Sequence, residues 1–513
     1  MKYLLHLLIF FLGFHPSFAQ KSTLNIEHFG AVGDGITLNT KSIQKAIDKA
    51  FSQNGGMVVF PKGNFLSGSI ELKSNVTLFF EEGSVLLGST NPNDYYKMNF
   101  EGRPDSPKKD DNSQMALILA NKANNIKLLG KGKIDGQGLK LALHIDSLHH
   151  AGIQVDPNYN YRRHRPNETM RPKLFRFSQC KNIDIKDLYV GEASCWGLSF
   201  ELSENLNIDG LTVVNRSYWN NDGIDITDCK NVRITNCDIN AADDGICLKS
   251  YYPGHSNDGI YIANCTIRSS ASAVKFGTAS YGGFRNVIIE NIKIFDTFRS
   301  AIAIESVDGA TIENINVNNI EAINTGNAIF IRLGHRDGEK PGVVKNINIK
   351  NIKVQVPFGR PDINYELRGP EVNFFHNPFP ASIVGIPGHS VESVNIENIE
   401  ISYPGKSFKG MAYVPLNRLE QVPKEIKSSP EFSMFGELPA WGFYVRYAKG
   451  ITFRNIKLNL EEDDFRPAFV FDDVEGLWME KISLPKTHKK EIALKEVTNP
   501  TLKINESEIK IIK

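Results

Sequence analysis

The run KNIDIKDLYV (Lys181–Val190) recurs as KNVRITNCDI (Lys230–Ile239), RNVIIENIKI (Arg285–Ile294) and KNINIKNIKV (Lys345–Val354). Each phrase alternates β-branched apolar residues with polar ones, the two-residue period of a strand with one buried face. Units opening at Asn182, Asn205, Asn231, Gly259, Asn286 and Gly309 are spaced by 23, 26, 28, 27 and 23 residues. A period of that length without an intervening helical pattern means several short strands per turn, each turn burying its apolar face only against its neighbours. The chain therefore reads as an all-β solenoid, a single-stranded right-handed parallel β-helix. Asparagines recur at its turn positions (Asn236, Asn264, Asn291, Asn314, Asn351, Asn398). They suit left-handed corners, and their amides can hydrogen-bond along the stack.

Outward from the repeats, the N-terminal side carries one stretch of helical spacing, Ser42–Phe51, with Ile43, Ala46, Ile47 and Ala50 on one face. This predicts a short helical cap. Three stretches interrupt the repeat and read as long surface loops: 156–172, 357–380 and 403–440. The first holds Arg162, Arg163, His164 and Arg165, which could flank an anionic groove. Without a linker, residues 21–513 form one domain. Met1–Gln20 has a basic start (Lys2), the apolar run LLIFFLGF and a small-x-small site at Ser17-Phe18-Ala19. That is the pattern of an export signal peptide, and no cysteine follows it to accept a lipid. A periplasmic or secreted monomer without a membrane span is expected.

The net charge is +1 over 513 residues, with 41% hydrophobic residues. That balance gives no bulk attraction to nucleic acid or acidic membranes. The six cysteines fit no zinc spacing and read as buried reduced thiols.

Chemistry is concentrated in WNNDGIDITDCKNVRITNCDINAADDGICLKS (Trp219–Ser250). At one coil per 21 to 28 residues, Asp222 and Asp243 should occupy equivalent places on successive coils, with Asp244 beside them. Carboxylates crowded in this way cannot all ionise, so a proton donor would sit beside ionised bases, as glycoside hydrolysis requires. Clustered Asp could also bind calcium in a β-helix lyase, or be turn residues without chemistry. Asp225 and the pairs Asp463-Asp464 and Asp472-Asp473 read as structural.

Asn220-Asn221-Asp222-Gly223 resembles the Asn-Thr-Asp-Gly motif of glycoside hydrolase family 28, the polygalacturonase family. Ala242-Asp243-Asp244 resembles its Gly-Asp-Asp motif, and FGAVGDG, NVTLFFEEGSVLLGS and RPKLFRFSQCKNI extend the similarity over most of the chain. The resemblance implies an inverting hydrolase on a β-helix, with Asp243 as general acid, Asp222 and Asp244 acting on water, Asn220 orienting one of them or touching substrate, and no metal or cofactor. The family's Gly-His-Gly is replaced by Ala271-Ser272-Ala273 and its Arg-Ile-Lys by Ala303-Ile304-Glu305. A Glu where a Lys would grip a galacturonate carboxylate turns attraction into repulsion. The expected substrate is therefore a pectic or related uronic-acid-containing polysaccharide, rhamnogalacturonan-like rather than homogalacturonan. A lyase using Lys275 or Arg299 as base and a non-catalytic carbohydrate-binding β-helix are the alternatives. Candidate substrate-binding residues are Asn220, Ser272, Lys275, Arg299, Glu305 and Arg332. His335-Arg336 are further candidate cations, and Trp219, Tyr251, Tyr252 and Tyr281 are candidate sugar-stacking rings.

Overall fold

The computed structural model describes residues 22–107, 113–362, 376–486, 489–504 and 509–512. The predicted signal peptide and part of the 357–380 insertion lie outside them. Every strand pairing between named strands is parallel, and strands inside the stack hydrogen-bond to the equivalent strand one coil earlier and one coil later. The chain is a parallel β-helix. In the central coils three short strands make one turn, as in Leu198–Glu201, Glu204–Asp209 and Thr212–Asn215. From Gly283 onward they fuse into long bent strands such as Gly283–Ser306 and Thr311–Leu333.

The alternation seen in the sequence becomes columns of stacked side chains. Phe175, Leu198, Ile224, Ile246, Val274 and Ile302 are aligned coil on coil and lie inside, almost wholly buried. Each contributes about 1.5–3 kcal/mol of burial. The residues one step along, Arg176, Ser199, Asp225, Cys247 and Lys275, share a second column on the opposite side of the same strands. The candidate functional residues Asp225, Cys247 and Lys275 lie on that second column.

The corner asparagines behave as their chemistry dictates. Asn236, Asn264, Asn291, Asn314, Asn351 and Asn398 all have φ between 54° and 59°. Their amides form ladders, for example Asn291 to Asn264 (3.1 Å), Asn319 to Asn291 (2.8 Å) and Asn398 to Asn351 (3.1 Å). One repeat boundary is corrected: Asn314, not Gly309, stands beside Asn286, its amide donating at 3.2 Å. The short final step read from the sequence came from matching DGATI to the unit start when ENINV carries it.

The predicted cap is helix α1, Thr40–Ser52, with Ile43, Ala46, Ile47 and Ala50 buried. A second helix, α2 (Gly138–His150), was not expected. Its N-cap residue, Gln137, makes no side-chain capping bond and sits in the left-handed region, so the usual start signal is missing. All six cysteines are free and buried. Among the described residues no helix is long and apolar enough to cross a membrane.

Candidate active site

Asp222 lies in the turn between the strands Thr212–Asn215 and Ile224–Thr227. Two buried amides fix that turn. Asn215 Nδ2 donates to the Asp222 carbonyl (2.8 Å), and Asn221 Nδ2 donates to the carbonyls of Ala193 (2.9 Å) and Cys195 (2.7 Å). The coils approach so closely here that a Cβ on Gly223 would stand 2.5 Å from the Gly245 carbonyl, and one on Gly245 2.7 Å from that of Ala273. Glycine after each aspartate is a steric requirement.

The register differs from the expectation in one respect. Ile224 pairs with Ile246, so Asp244, not Asp243, is the residue equivalent to Asp222, and Ser272 follows on the next coil. A glycine-anchored turn, rather than the first Asp of the pair, sets the column. Asp222, Asp243 and Asp244 nevertheless line one cavity of ≈ 210 Å³ together with Asn220, Lys249 and Lys275.

Two lysines organise the charges. Lys249 Nζ lies 3.2 Å from Asp222 Oδ2 and 3.2 Å from Asp225 Oδ1, and 4.4 Å from the centre of the Trp196 ring. Burial, then the neighbouring charge of Asp225, pushes the Asp222 carboxyl well above the usual carboxylate range, against the pull of Lys249. Burial likewise raises Asp225. One ammonium shared by two desolvated carboxylates cannot hold both ionised, so the ion pair and the upward shift coexist. Lys275 Nζ lies 3.3 Å from Asp244 Oδ2 and 3.9 Å from Glu305 Oε2. Burial opposes ionisation of Asp244, but Lys275, Lys249, Arg299 and the Ser272 N–H (3.0 Å) overcome it and hold the carboxyl down at about 2. Glu305, buried and farther from Lys275, is pushed up to about 7.

The other expected residues sort as follows. Asn220 is at the cavity, its Oδ1 accepting from Arg165 Nη1 (2.7 Å) and Arg171 Nη2 (2.8 Å). Through Arg165 the basic loop reaches the site. Arg299 lines the cavity and pairs with Glu431 at 3.3 Å. Ser272 contributes its backbone N–H to Asp244. Glu305 stands behind Lys275, nearly fully buried. Arg332 does not line the cavity: it is buried, and its guanidinium donates to the carbonyls of Gly385, Lys424 and Glu425, each at 2.9 Å, fastening the 403–440 segment. Arg336 is likewise spent on Asp308 (2.7 Å). Tyr251 lines the cavity, whereas Tyr252 donates to Glu201, Tyr281 to Asp337, and Trp219 lies beneath Arg163 and Arg165. Asp464 and Asp472 pair with Arg466 and Arg446 and have no part in the cavity.

Sequence reasoning missed Lys249 and Trp196. A lysine at an outward strand position reads as a solvated charge; the signal available was its place in the coil directly after Asp244. It also set Asp225 aside as structural, although Asp225 shares Lys249 with Asp222. Two alternatives lose ground. Asp222, Asp225 and Cys247 bring possible ligand atoms within 4.8 Å of one another, but Lys249 Nζ lies among them, 3.1 Å from the Cys247 sulfur, where a divalent ion would sit. Asp244 and Glu305 raise the pKa of Lys275 against burial, which favours its charged form over that of a proton-abstracting base.

Three aspartates thus open on one cavity of a parallel β-helix, with Asp244 held ionised by its cations and Asp222 pushed by burial toward its neutral form. The chain belongs to the glycosyl hydrolases family 28, whose family model matches residues 57–360. It is 26% identical over 426 residues to the Exo-poly-alpha-D-galacturonosidase of Dickeya chrysanthemi, covering 74% of this chain and 69% of that one. It is 29% identical over 303 residues to a Vitis vinifera protein named Probable polygalacturonase, covering 56% and 55%. The chain thus spans little more than half of the grapevine relative. In fold it is similar to the family 28 exopolygalacturonase of Yersinia enterocolitica, with a TM-score of 0.65 and 19% identity over 90% of this chain and 78% of that one.

Proposed function

We propose that this chain is an exported, inverting glycoside hydrolase of pectic or related uronic-acid-containing polysaccharides, preferring a rhamnogalacturonan-like backbone to homogalacturonan. The observation that carries the hydrolytic reading is the gathering of Asp222, Asp243 and Asp244 from two neighbouring coils on one cavity. Asp243 delivers its proton to the glycosidic oxygen as the anomeric C–O bond breaks. Water attacks the anomeric carbon from the opposite face and gives its proton to Asp244, the carboxylate already ionised, while Asp222 orients the water.

The names of the relatives point toward galacturonan. The local charges favour a different neighbour to the scissile bond: Glu305 stands behind Lys275, and Lys275 is committed to Asp244. A uronate carboxylate there would compete with two internal acids for one ammonium.

Incubation with homogalacturonan, rhamnogalacturonan and algal uronans, with products sized and the new anomer followed by NMR, tests the reading. The expected result is cleavage of a pectic glycan with inverted configuration, fastest on rhamnogalacturonan, and loss of cleavage in Asp243→Asn. Equal or faster cleavage of homogalacturonan refutes the preference. A product of retained configuration, or full activity in Asp243→Asn, refutes the mechanism. Export is checked by whether the first 20 residues direct a reporter out of the cytoplasm.

A further inference from the structure

The most heavily built group at the cavity with no assigned role is Lys249. It is buried, it lines the cavity, and its ammonium has a complete shell: Asp222 Oδ2 and Asp225 Oδ1 at 3.2 Å each, the Cys247 sulfur at 3.1 Å and the face of Trp196. Beyond Lys249 and Asp222, neither oxygen of Asp225 has a hydrogen-bond partner among the described residues. A buried carboxylate with so little support is costly unless the cation beside it is part of its purpose.

We propose that Lys249 is a positioning residue for hydrolysis: its ammonium, shared equally between Asp222 and Asp225, aims Asp222 into the cavity and sets the charge that Asp222 presents to the attacking water. The inference rests on the hydrolytic reading above and adds a role that reading does not need. Lys249 acts through Asp222, and Asp225 competes for it. Removing the lysine leaves two carboxylates facing each other without a counter-ion, so Asp222 takes a proton more readily. Removing the charge of Asp225 hands the whole ammonium to Asp222, which then ionises more readily. The other charges on this cluster leave those directions unchanged: Asp243 and Asp244 on the next coil push Asp222 upward in wild type and in both variants, and Lys173, from two coils back, faces Asp225.

The test is a pair of near-isosteric substitutions, Lys249→Met and Asp225→Asn, with kcat and KM measured against pH on whichever pectic oligomer the wild type cleaves. The acid limb of the kcat profile should move up by roughly one pH unit or more in Lys249→Met and down in Asp225→Asn, with KM nearly constant. A residue that only supports packing would lower kcat in both without opposite displacements. The same displacement is read without turnover from the infrared carboxylate band of Asp222, assigned by its loss in Asp222→Asn. Opposite shifts in profile or band support the proposal; parallel shifts or none overturn it. If Lys249→Met does not fold, Asp225→Asn decides alone: a downward shift supports, no shift or an upward one overturns. Should no glycan be cleaved, the hydrolytic reading falls while the infrared arm still tests the positioning role.

Discussion

Two lysine–carboxylate clusters stand one coil apart, and their difference shows how neighbouring buried carboxyls come to differ in their tendency to ionise. Lys249 is equidistant from Asp222 and Asp225, at 3.2 Å from each. Lys275 is nearer to Asp244 (3.3 Å) than to Glu305 (3.9 Å). An ammonium divided evenly secures neither partner, and burial raises both Asp222 and Asp225. An ammonium divided unevenly separates its partners. With Lys249, Arg299 and the Ser272 N–H adding to Lys275, Asp244 is driven to about 2, while burial, opposed by Lys275 but aided by the charge of Asp244, lifts Glu305 to about 7. Small asymmetries in position thus become large differences in protonation, because the low-dielectric setting amplifies each one.

The comparison breaks most severely if Asp244 is not the base. Asp244→Asn should lower kcat by ~10²–10⁴-fold with little change in KM. A loss below tenfold in steady-state assays would place the base elsewhere. Next comes the cation that keeps it ionised. Lys275→Met leaves Asp244 and Glu305 buried without their counter-ion, and loss of one partner of a buried pair costs about 3–5 kcal/mol. The pH dependence has a definite sign. A carboxylate held at about 2 when folded contributes stability that is present above its unfolded value of 3.8 and is lost as pH falls through about 2. The variant should lose the share of that dependence that Lys275 supplies, so its deficit, read by denaturant unfolding, is greater at pH 7 than at pH 2.

Much of the fold was readable in the sequence because a β-helix is specified locally. Ile183, Ile185 and their counterparts alternate within each unit, and Asn182, Asn205 and Asn231 mark the corners, so no distant pairing had to be guessed. Where local signals failed, long-range contacts had decided. Helix α2 forms without a capping side chain. Arg332 looked like a candidate for the cavity until the 403–440 segment folded over it. The three aspartates were legible as a group from coil spacing, but a register correct to one residue required the backbone. The role of Lys249 depends on Trp196 and Asp225 on two other coils, which no linear motif brings together.

Glu305 sharpens the uneven half of the comparison. Its folded-state value of about 7 lies above the ordinary 4.5, so it contributes stability that is complete below pH 4.5 and is lost as pH rises through 7. Glu305→Gln removes this component. Wild-type stability minus variant stability, from denaturant midpoints, should therefore decline across pH 4.5 to 7 and level off above. A difference that stays level over that interval would mean Glu305 is ionised throughout, and that Lys275 secures it as firmly as it secures Asp244.

The smallest effect is expected at the residue joining the two clusters. Cys247 Sγ lies 3.1 Å from Lys249 Nζ, 3.1 Å from the Gly277 carbonyl and 3.8 Å from Asp244 Oδ2. Burial raises its thiol well above the ordinary value, so it is neutral and adds no charge to either cluster. Cys247→Ala should therefore leave the acid limb of the kcat profile in place and lower kcat by no more than about fivefold, the effect of one weak sulfur contact and a small void. The buried thiol should also resist alkylation in the folded enzyme at pH 8, as read by mass spectrometry. If Cys247→Ala instead moved the acid limb as far as Lys249→Met does, the sulfur would be carrying charge between the lysines. The two clusters would then be a single titrating unit, and the contrast between an even and an uneven sharing of the ammonium would have to be replaced by one collective equilibrium over four carboxyls and a thiol.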